Sequence, residues 1–563
     1  MALTSITTTL FGLILAYIIW TAITLQLNLR KARAIGVPCI CIPIDANSVL
    51  WAAIQPFVWS ILDRLPFKWT SYPDFIRYIR RGWPYTDRSE THLRLGPVWA
   101  LVTPVTMYLY VADPNAIREI FARRSDFVRP LEEYKLLEVY GPCISSAGHD
   151  WARHRKVLAA PFNESIMEFV WNESLRQARS MLRSWTSVHE PGITSMQRDT
   201  RTLSLNVLAS AAFRKSYKFH GSAEPAIDEA SSYRDSLQIV LDNIVPLMII
   251  PYGLLASPIV PKSWARVGKA AASFKEHMRQ MLEKETATLK QGEPGSGGII
   301  TPFAHALQIY SQDTKASELG SNKVKRGLSM DEIFGNMFVI NFAGHDTTAV
   351  TFSFSMILLA ANPSVQEWIS EEISAVTKDI PLEEWDYKTL FPALKRCRAV
   401  MLETLRVYPP IMLLPKLTFR TAQTIPVGDQ TLVIPPNVNT TICLKAVQSH
   451  PDYWPDPDTW NPSRWISQTA TGLNEELLEA KPNTYFPWSD GPQKCPGRKF
   501  SEVEAVAVLA CLFKKHRLHV KKKAYESDEA AKQRLMKCTQ DVCLEALLKM
   551  TNPDQVTLIC KEV

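Results

Sequence analysis

Residues 488–497 read W-S-D-G-P-Q-K-C-P-G, and a helical pattern follows from near Phe500. Glycine and proline on both sides of Cys495 dictate a tight loop, whose backbone N–H groups can turn toward the sulfur. The following helix adds the positive end of its dipole. Both effects favour the thiolate over the thiol. A loop cysteine is ordinarily a plain free thiol, but the spacing of Gly491 and Gly497 around Cys495 sets this one apart. The chain has ten cysteines, with no C-x-x-C pair and no regular framework among them. The others read as reduced, mostly buried thiols facing a reducing compartment.

Working outward, Ser329 and Glu332 form an S-x-x-E capping box, and an apolar pattern then runs to Ala361 before Asn362-Pro363 stops it. Such a helix is roughly 50 Å long. Its middle reads Ala343-Gly344-His345-Asp346-Thr347-Thr348, and polar groups at a buried helix centre are costly unless they find partners. An acid beside a hydroxyl there can relay protons, whereas threonine back-bonding alone merely bends a helix. His345 reads as structural rather than as a metal ligand. Glu403-Thr404-Leu405-Arg406 sets acid and base at i and i+3, with apolar flanks that bury the pair. Breaking such a pair costs about 3–5 kcal/mol. Trp151 and Arg155, at i and i+4, put an indole N–H and a guanidinium on one face, which suits a carboxylate-bearing ligand.

From Met1 to Leu29 there is no charged side chain, and Leu10 to Leu27 would make a helix of roughly 27 Å against a hydrocarbon core of about 30 Å. Arg30, Lys31 and Arg33 follow at once, then Gly36-Val37-Pro38. A basic flank on that side predicts an uncleaved anchor with the rest of the chain cytosolic, and it disfavours a signal peptide. Val49–Leu65 and Ile239–Val260 are apolar but broken by proline. They read as core segments, with the membrane interface as the alternative. Hydrophobic residues make up 46% of the 563 and charged residues 21%, an ordinary globular balance that excludes wholesale disorder. The net charge of +7 is diffuse, which suits an anionic membrane surface or an acidic partner and not nucleic acid. Short β-rich runs occupy residues 87–120, helical patterns reach about residue 410, and strand-like runs return at Thr421–Val438 and at the C-terminal VTLIC. QGEPGSGG at Gln291–Gly298 and the polar stretch Gln312–Gly327 read as an exposed loop region inside one domain. The fold class is therefore mainly α with small β-sheets.

These four motifs, in this order and at these separations, resemble the cytochrome P450 superfamily, and the W-S-D-G-P-Q-x-C-P-G variant resembles fungal microsomal members of secondary metabolism. The resemblance implies the cytochrome P450 fold over residues 67–563, after a transmembrane anchor (1–29) and a hinge with an interfacial segment (30–66). It implies haem b (iron protoporphyrin IX) as cofactor, with Cys495 as the axial iron ligand inside a loop framed by Gly491 and Gly497. A thiolate on haem iron donates electron density that favours O–O cleavage. Glu403 and Arg406 would join Arg464 in a core-locking triad. Asp346 and Thr347 would be the oxygen-activating pair, while Trp151, Arg155 and Lys416 would bind haem propionates. Lys416 and Gln493 stand where the family usually carries arginine, and Trp488 where it usually carries phenylalanine. The implied activity is monooxygenation of a hydrophobic small molecule, a secondary-metabolite intermediate. Electrons would come from NADPH through cytochrome P450 reductase at the endoplasmic reticulum membrane, with membrane lipid as a further contact. A reductase-independent isomerase or dehydratase and a non-catalytic haem carrier are the competing readings.

Overall fold

The computed structural model describes residues 2–187, 192–194, 196–220, 232–318, 325–468 and 475–563, leaving aside the side chains of residues 2–10, 13, 14, 49, 50, 52 and 53. The chain divides into two units, one of residues 1–130, 411–460 and 480–495, the other of residues 131–410, 461–479 and 496–563.

The first unit opens with helix α1 (Ala2–Ile35). It runs past Leu29 because Arg30, Lys31 and Arg33 are good helix formers, and the stop comes only where Gly36 adopts φ +83° ahead of Pro38. No single helix among the described residues is long and apolar enough to cross a membrane. The unit's core is a six-stranded sheet of β1 (Cys39–Cys41), β2 (Val98–Val102), β3 (Met107–Val111), β4 (Phe127–Val128), β5 (Leu413–Thr418) and β6 (Asn439–Cys443), in the order β1-β2-β3-β6-β5-β4. Every residue of β2 is buried, and Trp99 stacks on its register partner Tyr110 of β3. The strand-like run expected from Thr421 forms the hairpin Gln423–Val427 with Gln430–Ile434, but β5 lies ahead of it. Pro415 and Lys416 break the alternation that would have announced β5.

The second unit is helical. Its elements used below are α2 (Trp151–Ala159), α3 (Met196–Phe213), α4 (Tyr233–Asp242), α5 (Met330–Ala361), α6 (Lys395–Val407) and α7 (Arg498–Phe513). α5 starts and stops where the sequence predicts. The Glu332 N–H donates to Ser329 Oγ at 3.3 Å, and the Ser329 N–H returns to Glu332 Oε2 at 2.8 Å. α3 lies along α5, with Thr200 Oγ1 and Ser353 Oγ 2.7 Å apart. A Cβ on Gly344 would come within 3.2 Å of Leu208, so glycine permits that approach. α7 begins two residues earlier than predicted, at Arg498, with the Ser501 N–H closing on the Gly497 carbonyl at 2.9 Å.

Two loop expectations need correction. The linker at 291–298 is exposed at its start, but its end is buried, where a Cβ on Gly298 would lie 2.5 Å from the Ala212 carbonyl. Gln312 begins no loop, since the helix Ile300–Glu318 carries through it; residues 319–324 of that stretch lie outside the described residues. None of the ten cysteines is in a disulfide. Cys143, Cys397, Cys443 and Cys511 are buried, whereas Cys41 and Cys495 are exposed, so burial is less general than expected.

Candidate active site

In the first unit the loop that carries Cys495 folds back on itself. The Cys495 N–H donates to the Trp488 carbonyl at 2.8 Å and the Lys494 N–H to the Gly491 carbonyl at 3.2 Å. Gly491 sits at φ +67°, and a Cβ there would lie 2.5 Å from the Phe121 carbonyl. Both the dihedral and the approach require glycine. The expectation that backbone N–H groups turn toward the sulfur is not met by Cys495's own amide, which the loop takes up, while the cysteine itself is exposed.

Lys416 on β5 is only 6% exposed, and its Nζ donates to Gln493 Oε1 at 2.7 Å. Burial, and then the nearby Arg129 guanidinium, push its ammonium down to about 7. A buried ammonium bonded to a neutral amide and facing a second cation is uncompensated, and an anion is the group that relieves it. An exposed cysteine in a glycine-locked loop, with an anion-seeking lysine bonded to the same loop, fits a thiolate-held, carboxylate-bearing cofactor.

In the second unit Trp151 is the first residue of α2 and is buried, and Arg155 follows one turn later, half-buried. At the centre of α5, Thr347 Oγ1 donates back to the Ala343 carbonyl at 2.8 Å. Ala343 is exposed in the middle of a helix whose neighbouring residues are buried or half-buried, so this face opens on free space. Asp346 lies about 100° further round the helix. There Arg201 Nε of α3 donates to Asp346 Oδ1 at 3.0 Å, and the same guanidinium holds Asp242 Oδ1 of α4 at 2.5 Å. His345 is wholly buried, its Nε2 is 3.3 Å from Asp346 Oδ1, and neither ring nitrogen makes a hydrogen bond among the described residues. Burial lowers its pKa, which favours the neutral imidazole.

A cavity of about 1070 Å³ opens on the Asp346 face, with Phe342, Arg201, Asp242, Arg266 and Lys549 in its wall. Charged side chains from α3, α4 and the C-terminal turn share this wall with apolar ones such as Phe342 and Val350. Arg201 and Asp242 escaped the sequence reading because their partners are 145 and 41 residues apart in the chain.

Behind these elements Glu403 and Arg406 are both wholly buried and meet in a two-pronged pair at 2.9 Å and 2.9 Å. Arg464 Nε reaches Glu403 Oε1 at 3.0 Å, completing the expected triad. Two further donors were not foreseen: Trp465 Nε1 to Glu403 Oε2 and the Asn461 N–H to Glu403 Oε1, each at 2.9 Å. Together they fill both carboxylate oxygens.

A mainly helical chain with a loop-presented cysteine and a buried acid–base lock fits the class of haem-thiolate proteins. The family model for cytochrome P450 matches residues 74–542. A cytochrome P450 monooxygenase of Arthrobotrys oligospora is 28% identical over 543 residues, covering 90% of each chain. The phomenoic acid biosynthesis cluster cytochrome P450 monooxygenase of Leptosphaeria maculans is 27% identical, covering 86% of this chain and 87% of its own. A crystal structure of a cytochrome P450, CYP102L1, superposes with a TM-score of 0.64 at 17% identity, covering 85% of this chain and 98% of that one, which supports the fold alone. The chain belongs to the cytochrome P450 family, in its fungal type. It is an oxidoreductase of the monooxygenase family, with haem b on a cysteine thiolate as the family cofactor.

Proposed function

We propose that this chain inserts one oxygen atom from dioxygen into a hydrophobic small molecule, an intermediate of fungal secondary metabolism, with electrons from NADPH delivered by cytochrome P450 reductase. Cys495 is the residue that holds the iron, and Lys416, Trp151 and Arg155 are the residues that hold the propionates. Haem on a thiolate supplies the electron density that favours O–O cleavage. The protein's own residues supply protons and position.

The observation that carries this reading is the arrangement of Asp346 and Thr347 on α5. Asp346 faces a cavity with charged side chains in its wall, from which a proton can be drawn, and Thr347 faces the opening at Ala343. Between them a proton passes from the wet side of the helix to the reacting side. Arg201 Nε holds Asp346 Oδ1 in place at 3.0 Å. Such a relay is needed only if dioxygen is cleaved. Replacing Thr347 with alanine, or Asp346 with asparagine, is expected to lower the fraction of NADPH converted to hydroxylated product by about a hundredfold, the lower range for a positioned acid–base group. NADPH consumption itself should continue. Unchanged coupling in both variants would remove these residues from the mechanism.

The same proposal places α1 in the endoplasmic reticulum membrane with the remainder cytosolic. Its support is the charge-free run to Leu29, the outward Phe11, Tyr17, Ile18 and Ile23, and the basic residues directly after it. Phe57 and Ile61 of the helix Val49–Leu62, and Val245, Ile249, Leu254 and Ile259, are likewise exposed, with Ile259 at 92%. That exposure favours the interfacial reading of both segments over the core one. Full-length protein should remain in the membrane pellet after alkaline carbonate extraction, and a chain starting at Arg30 should not. Release of the full-length chain by carbonate would contradict the anchor.

A further inference from the structure

Lys416 and Gln493 are bonded to each other although 77 residues separate them in the chain. The ammonium has three N–H groups, and Gln493 Oε1 takes one. Its position on β5 is fixed by register: Lys416 lies opposite Thr440, and its side chain is buried. The stem therefore cannot swing to solvent, and the direction of the head is set by whatever accepts its protons. The charged groups facing it are few: Arg129 is the one that acts on it, and it repels. No carboxylate contributes to its ionisation among the described residues.

We propose that Gln493 is a positioning residue for Lys416, holding one N–H of the ammonium so that the others are aimed at a carboxylate of the bound porphyrin. The inference rests on the haem-thiolate reading of Cys495 and extends it to a residue whose own side chain carries no charge. Gln493 is suited to the task because its amide oxygen accepts while bringing no charge of its own. A carboxylate at 493 would pair with Lys416 and compete with the porphyrin, and an arginine would offer only donors and repel both Lys416 and Arg129. The two positions therefore act as one unit: glutamine at 493 is useful only with lysine at 416. Binding the anion and keeping Lys416 protonated become a single event.

The test is a double-mutant cycle on the rate of haem transfer to excess apomyoglobin, using wild type, Lys416→Met, Gln493→Leu and the double variant, with Gln493→Arg and Gln493→Asn alongside. Loss of one charge-assisted hydrogen bond is expected to speed haem loss about tenfold in Gln493→Leu and in Gln493→Asn, whose shorter amide leaves Lys416 unheld. In the Lys416→Met background Gln493→Leu should add less than about twofold. Gln493→Arg should also speed haem loss although it adds a cation. A role confined to folding the cysteine loop would instead speed haem loss equally with and without Lys416, and that result overturns the inference. Slower haem loss in Gln493→Arg overturns it as well, because glutamine would then be merely an absent arginine. The reduced, carbon-monoxide-bound spectrum of each loaded variant reports thiolate ligation separately, so a failure of the underlying reading is seen apart from a failure of the pair.

Discussion

Glu403→Leu is expected to lower the unfolding free energy by about 3–5 kcal/mol, which is the effect of removing one partner from a buried ion pair. Domain stabilities of about 5–15 kcal/mol make that about a fifth of the total or more. The geometry explains the size. Glu403 accepts from Arg406, Arg464, Trp465 and the Asn461 amide, so its loss removes the acceptor of five N–H groups on four residues. Arg406 has no exposed surface over which to rehydrate, and its guanidinium would remain charged in the core. Arg464 keeps 14% of its side chain exposed and can turn toward water, so Arg464→Met should cost less than Arg406→Met. Chemical unfolding of the three variants gives the ranking directly. A loss below about 1 kcal/mol for Glu403→Leu would mean that the buried charges are not coupled as the distances state. Replacing Glu403, Arg406 and Arg464 together by leucine and methionine should restore much of the stability, because a buried cluster is costly to break and not to replace.

Much of this was legible in the sequence wherever the signal was local. The ends of α5 follow from a capping box and an Asn-Pro stop, each readable within four residues, and both stand where predicted. Burial of Glu403 and Arg406 followed from their apolar flanks, and the i, i+3 spacing set their contact. Strand β5 was hidden because Pro415 and Lys416 look like breakers. They are tolerated there because β6 alone pairs with them, β4 reaching only Leu417 and Thr418, so at Pro415 the strand is an edge. The partners of Asp346 and of Lys416 were beyond reach for another reason: nothing in a helix such as MQRDTRTLSLN marks which arginine will meet an acid on a distant helix. The charged part of the cavity wall follows from those same pairings. Its wall gathers side chains from α3, α4, α5 and the C-terminal turn, and no one segment is unusually charged.

Substitution of Cys495 has the other large expected effect. The loop geometry that presents it rests on Gly491, on the turn at Ser489 (φ +62°) and on the hydrogen bond from the Cys495 N–H to the Trp488 carbonyl, and none of these needs the sulfur. In the haem-free form Cys495→Ala should therefore fold with near-wild-type stability, since the side chain is exposed and a change there is worth within about 0.5 kcal/mol. Monooxygenase turnover should fall to background all the same, because the group lost is the thiolate that holds and activates the iron. Stability unchanged with function abolished separates this residue from Glu403, where both fall together.

The most direct test of the central claim is the absorption difference spectrum of the reduced, carbon-monoxide-bound protein, wild type against Cys495→Ala. A strongly red-shifted Soret band is expected in wild type, the signature of thiolate ligation, and its absence in the variant. A wild-type protein that binds haem without that band, or a variant that keeps it, would show that Cys495 does not hold the iron.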